Sequence, residues 1–87
     1  MSNTLNIEAM LETAITHHEA RKLDQAEKLY REILAVESDN VDALNSLGVI
    51  LQDYGRVSES LTLISKALAV EPDFPEALTN LARGLNA

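Results

Sequence analysis

Leu34-Ala35-Val36-Glu37 and Leu68-Ala69-Val70-Glu71 are one tetrapeptide written twice, 34 residues apart, in a chain of 87. The same step carries Ala9 to Ala43, Leu29 to Leu63 and Asp39 to Asp73. With conservative change it carries Met10 to Leu44, Ala14 to Gly48 and Ile15 to Val49. A period of this length marks stacked supersecondary units, none of which buries its apolar surface alone. The register divides a single domain, 1–87, into a repeat at 7–40, a repeat at 41–74 and a partial repeat or capping helix at 75–87.

Within each repeat the pattern predicts two helices. Ala43, Leu44, Leu47, Val49, Ile50 and Leu51 form an apolar stripe at helical spacing. Asn40 is placed to cap that helix, and Gly55 suits the left-handed residue that closes it. Ser58 opens a partner helix carrying Leu61, Ile64, Ala67 and Leu68, which Pro72 stops. In the first repeat Asp24-Gln25-Ala26-Glu27 reads as a variant capping box. Asp24/Lys28 and Glu27/Arg31 are i,i+4 pairs, each worth about 0.3 kcal/mol. Pro75 sits where a first helical turn accepts proline. No segment alternates as a strand does, so the fold class is all-α.

Composition narrows the function. Tyr30, Tyr54 and Phe74 are the only aromatic residues, so the core is built from Leu, Ile, Val and Ala. The absence of cysteine excludes disulfides and thiolate metal sites and suits a reducing, cytoplasmic setting. The opening Met1-Ser2-Asn3-Thr4 lacks the basic and apolar regions of a signal peptide. No apolar run approaches the roughly 18 residues of a membrane span. A net charge of −7, with scattered basic residues, argues against nucleic acid, whose phosphates require a clustered basic face.

The spacing and the small-residue positions together resemble the tetratricopeptide repeat (TPR) family. Leu44, Leu47, Gly48, Leu51, Gly55, Ile64, Ala67 and Pro72 match its pattern in the second repeat. In the first, Ala14, Ala26 and Tyr30 match, while Arg21 stands where glycine is usual, Ser38 replaces proline and Thr13 replaces a core leucine. Phe74 to Ala82 again resembles a first helix. The resemblance implies a right-handed α-solenoid of antiparallel helix pairs, two full repeats plus one further helix. First helices would line a concave face and second helices a convex back. Gly48, Ala14 and Ala82 would be small because another helix passes close by.

On that frame Thr16-His17-His18-Glu19-Ala20, the stretch most suggestive of chemistry, reads mainly as architecture. His17 matches Leu51 and Leu85 and is expected as a partly buried, hydrogen-bonded ring between helices. His18 is turned about 100° around the helix, onto the concave side. A helical metal site needs ligands at i and i+4; His17 finds Thr13 and Arg21 there, and His18 finds Ala14 and Lys22. Glu8 and Glu12 form a carboxylate pair, but such pairs need a pocket to act as acid and base. No catalytic residue, metal or cofactor is expected, and the chain reads as a non-enzyme.

TPR ligands are peptides or segments of partner proteins, and the residues matching the family's contact positions are Leu11, Ile15, His18, Asn45, Val49, Gln52 and Arg83, with Thr79 and Asn86. Leu11, Ile15 and Val49 would form an apolar centre, with Asn45, Gln52, Asn80 and Arg83 supplying directional hydrogen bonds, suited to an amphipathic helix or extended peptide. The same residues also suit packing against adjacent repeats. The chaperone-tail clamp is not matched, since Leu11, Ile15, Ser46, Glu76 and Asn80 stand at its positions. Asn80 does match the asparagine ladder of O-linked GlcNAc transferase arrays, and 71–81 resembles them closely; Ser46 and Glu12 break the ladder. Residues 14–51 also resemble TPRs preceding bacterial glycosyltransferase or sulfotransferase domains. The third repeat lacks its second helix, which leaves Leu78, Leu81 and Leu85 as candidates for self-association. The last helix is then a cap, part of a longer array, or a surface completed by a second copy. The expected function is non-catalytic binding of a protein or peptide on the concave face. The alternatives are a self-assembling module, a homo-oligomer, or the substrate-recruiting fragment of a transferase.

Overall fold

The computed structural model describes residues 3–86, with side chains from residue 6 onward. Five helices follow one another: α1 (Asn3–Glu19), α2 (Leu23–Val36), α3 (Val41–Asp53), α4 (Val57–Val70) and α5 (Pro75–Leu85), with no strand among the described residues. Each pair packs antiparallel, α1 with α2 and α3 with α4, while α3 also packs on α2 and on α5. The stack measures 42 × 27 × 19 Å. Helix α1 begins at Asn3, ahead of the repeat boundary at residue 7.

The turn inside each repeat is the same device twice. In α1 the Lys22 N–H donates to the His17 carbonyl at 2.8 Å and the Arg21 N–H to the His18 carbonyl at 3.0 Å. In α3 the Arg56 N–H donates to Leu51 at 2.8 Å and the Gly55 N–H to Gln52 at 2.9 Å. These paired bonds close a helix with a left-handed residue, and both Arg21 (φ 63°) and Gly55 (φ 79°) are left-handed. Three loop residues separate the carbonyl-rich end of each first helix from the start of its partner.

Helix starts agree with the sequence in part. Asn40 caps α3, its Oδ1 accepting the Ala43 N–H at 2.9 Å, and Pro75 opens α5. The capping box expected at Asp24 does not form: α2 starts at Leu23 without a side-chain cap, and the Asp24 carboxylate instead accepts the Tyr54 hydroxyl. Helix α4 begins at Val57, so Ser58 lies inside it rather than at its opening. Glu27/Arg31 closes at 2.9 Å, whereas Lys28 gains no partner among the described residues because Asp24 is engaged elsewhere.

Two apolar clusters meet in α3. The first gathers Ile7 and Ala14 with Ala26, Tyr30 and Ile33 against Ala43, Leu47, Ile50 and Leu51. The second gathers Leu44, Ile64, Ala67, Phe74 and Ala77. Leu34 and Leu63, half-buried, pack against both. Burying one such side chain is worth about 1.5–3 kcal/mol, so a small array depends on every stacked face. Helices α3 and α4 come close at Gly48, where an added Cβ would lie 2.6 Å from Ile64 Cγ1. That approach lets the fully buried Ser60 hydroxyl donate to the Gly48 carbonyl at 2.7 Å. Ala14, one repeat earlier, is likewise fully buried. Ala82, one repeat later, is exposed, because among the described residues no helix follows α5 to cover it.

Candidate functional site

The first helices α1, α3 and α5 carry the residues expected on the concave face, and the structure sorts them into two hollows. One, of about 380 Å³, lies between α1 and α3 and is lined by Ile15, His18, Glu19, Arg21, Tyr30 and Ser46. The other, of about 390 Å³, lies between α3 and α5 and is lined by Asn45, Pro75, Glu76, Thr79, Asn80 and Arg83. Leu11 is half-buried against the first core cluster, so it supports the wall rather than presenting a free surface. Val49 is half-buried, and Ile15 is the more open of the apolar trio at 42% exposure.

Around the first hollow the polar groups are unusual. The His18 ring meets Tyr30 edge-on, with centroids 6.5 Å apart and planes at 79°. Burial holds His18 below its ordinary 6.5, against the opposing pull of the Asp53 carboxylate. Tyr30 is fully buried, and its hydroxyl has no hydrogen-bond partner. Burial pushes that phenol up, with the neighbouring Ser46 side chain opposing the effect and Asp42 and Glu19 adding to it. Contact-position matching did not single out Tyr30 because it comes from the second helix α2 and reaches through the repeat to the first-helix face. The signal for it lies in the repeat itself: the position one step later is Ile64, so the hydroxyl has no counterpart there.

Beside the second hollow two side-chain hydrogen bonds join α3 to α5. Asn80 Nδ2 donates to Asn45 Oδ1 at 3.0 Å, and Gln52 Nε2 donates to the Asn80 carbonyl at 2.9 Å. Gly84 leaves room for this bridge, since a Cβ there would stand 2.9 Å from Gln52 Nε2 and 2.7 Å from Leu61 Cδ2. Asn80 is only 8% exposed. The asparagine at the ladder position is thus turned into the α3–α5 contact, and Arg83 remains exposed beside it.

His17 is half-buried, and its ring makes no hydrogen bond among the described residues, unlike the expectation for it. Glu8 and Glu12 are both exposed on α1. Among the described residues no three metal-ligating side chains come together, and no helix is long and apolar enough to cross a membrane. On α5, Leu78 and Leu85 are 50% and 67% exposed, while Leu81 packs against the second core cluster. Across the second helices, Arg31 and Arg56 each contact both Glu27 and Glu59 at 2.7–3.6 Å, closing a ring of four charges between α2 and α4.

This arrangement of helix pairs matches known proteins. Over 98% of its length the chain superposes, with a TM-score of 0.95 and 25% identity, on a lysine-to-methionine variant of the O-GlcNAc transferase of Thermobaculum terrenum. It spans 16% of that chain. The tetratricopeptide repeat family model matches residues 17–84. With that match over most of its length, and with the same helix-pair solenoid, the chain belongs to the tetratricopeptide repeat family, whose repeats mediate protein–protein interaction.

Proposed function

We propose that the chain is a non-catalytic module that binds a peptide or protein segment on its concave face. The observation that carries this reading is the hollow between α1 and α3, where the exposed Ile15 stands beside the polar groups of His18, Tyr30 and Ser46. An apolar wall with a few convergent polar groups is the usual chemistry of a peptide groove. Substituting Ile15→Asp should abolish binding of any peptide selected from a display library, at unchanged helicity, because Ile15 lies on the surface and not in the core. Unaltered affinity in that variant would sink the reading.

A second reading rests on α5. Leu78 and Leu85 are the apolar side chains most open on that helix, and Ala82 between them occupies the position that a partner helix covers in the other repeats. A homo-oligomer formed through this face would place one chain where a second helix is lacking in the other. Recruitment of substrate to a transferase is a third use, drawn only from the likeness to the repeat region of an O-GlcNAc transferase.

A further inference from the structure

We infer that the hollow between α1 and α3 is a subsite for a lysine side chain, and that the segment bound on the concave face is therefore basic. The inference rests on the peptide-binding reading above and adds the chemistry of the partner. Two independent features support it: a buried hydroxyl without a partner, and the sign of the surrounding charge.

Tyr30 is fully buried, lines the hollow and leaves its hydroxyl unpaired. An unpaired buried hydroxyl costs about 1–3 kcal/mol, and replacing tyrosine by phenylalanine would remove that cost at no loss of packing. A ligand that donates a hydrogen bond to Tyr30 Oη gives the hydroxyl a use. Ser46 offers a second oxygen in the same hollow and Glu19 a carboxylate at its edge. Burial favours the neutral form of His18, in which one ring nitrogen accepts. Glu19 and the His18 ring thus add acceptors to the two hydroxyl oxygens, with the Arg21 guanidinium as the donor on the same wall.

Charge points the same way. Glu19 and Asp53 act on His18, and Asp42 and Glu19 act on Tyr30. Among the described residues lining the hollow Arg21 is the one cation, and its guanidinium is directed to the Asp53 carboxylate at 3.5 Å. The whole chain carries −7. A lysine fits both parts of the site: its aliphatic stem lies along Ile15, and its ammonium, with three donors and no acceptor, meets Tyr30, Ser46 and Glu19. A carboxylate ligand would face three acids, and a primary amide would gain hydrogen bonds from them but no charge attraction.

Gln52, the repeat equivalent of His18, stands in a related but different setting. Its Oε1 is also buried without a partner, beside Asp53 in a smaller hollow of about 150 Å³. The unpaired atom there is an obligate acceptor, but the Arg83 guanidinium lines the same hollow and is a donor of this chain.

The test is a heteronuclear NMR titration of the full chain at physiological salt with three capped peptides, alternating alanine with lysine, glutamine or glutamate. The lysine peptide should shift the amides of Ile15, His18, Glu19 and Ser46 saturably, binding about tenfold tighter than the glutamine peptide. The glutamate peptide should not saturate. Tyr30→Phe and Glu19→Gln should each weaken the lysine peptide about fivefold, while Glu32→Gln, which removes the same charge from an exposed site on α2, should change it less than about twofold. Tyr30→Phe should melt no lower than the parent; were it to misfold, Ser46→Ala and Glu19→Gln would carry the comparison. Equal weakening by Glu32→Gln would reduce the effect to diffuse charge and overturn the subsite, as would a glutamine peptide that binds as well. Library peptides that shift the concave amides without containing lysine would overturn the lysine subsite and leave the peptide-binding reading standing. If no library peptide shifts those amides, both fall.

Discussion

Arg21 holds its backbone at φ 63°, the conformation Gly55 adopts at 79° one repeat later. An L-residue there costs about 1 kcal/mol relative to glycine. Arg21→Gly should raise stability by about that amount, read as a higher urea midpoint, because the lost contact to Asp53 is a 3.5 Å pair with an exposed arginine. The repeat made this position legible, since glycine and arginine align in it. Tyr30 was legible only as a motif match, because whether a tyrosine hydroxyl is paired depends on a neighbouring helix. The angle of His18 on the helix puts it on the side of α1 that carries Ile15, but its surroundings, Asp53 and Arg21 among them, come from the next repeat and the next turn. Its value is lowered in the fold, so above 6.5 it contributes nothing to pH dependence. As pH falls from 6.5 through the lowered value, the unfolded chain takes the proton first and the fold loses stability. His18→Gln should flatten that part of the stability profile, as denaturant midpoints from neutral to mildly acid pH would reveal.

Helix α3 is where local signals and packing coincide. Its cap at Asn40, its glycine stop at Gly55 and its apolar stripe all agree, and each is readable from neighbouring residues. Gly48 adds the long-range condition: a methyl group there would meet Ile64 Cγ1 at 2.6 Å, on a fully buried and stiff β-branched side chain. Gly48→Ala should destabilise by about 1–3 kcal/mol through overpacking, despite the better helix propensity of alanine; a higher thermal midpoint would count against this account of the α3–α4 approach. The second helices were less legible. Glu27/Arg31 is a contact within one helix and follows from spacing, but Glu59 and Arg56 join it only because α4 packs beside α2. The Arg31 guanidinium, helped by Arg56, holds the Glu59 carboxyl below the usual carboxylate range. In the same way Asp24 is drawn from its expected cap to Tyr54, whose phenol it pushes up to about 12. A cap and a cross-helix hydroxyl compete for one carboxylate, and sequence spacing does not show the second competitor.

The molecule as a whole is a stack with one face left open. Replacing Leu78 and Leu85 together by glutamate should leave the thermal midpoint unchanged, since both side chains are at least half exposed. If copies associate through α5, the same double variant should lower the solution mass measured by light scattering. Leu81→Asp belongs to a different test, because Leu81 packs on the second core cluster and its loss unfolds the end of the array. The order of helices and the two complete repeats were legible because a 34-residue period survives even where individual positions drift. The division of the concave face into two hollows was not, because it depends on Asn80 turning inward to Asn45. The two half-buried leucines shared by both clusters, Leu34 and Leu63, also govern the order in which the array comes apart. Each is a rivet between neighbours rather than the centre of either cluster. Fraying that begins at α5 can therefore proceed inward only by first loosening Leu63, and α3, gripped from both sides, is the last helix to let go.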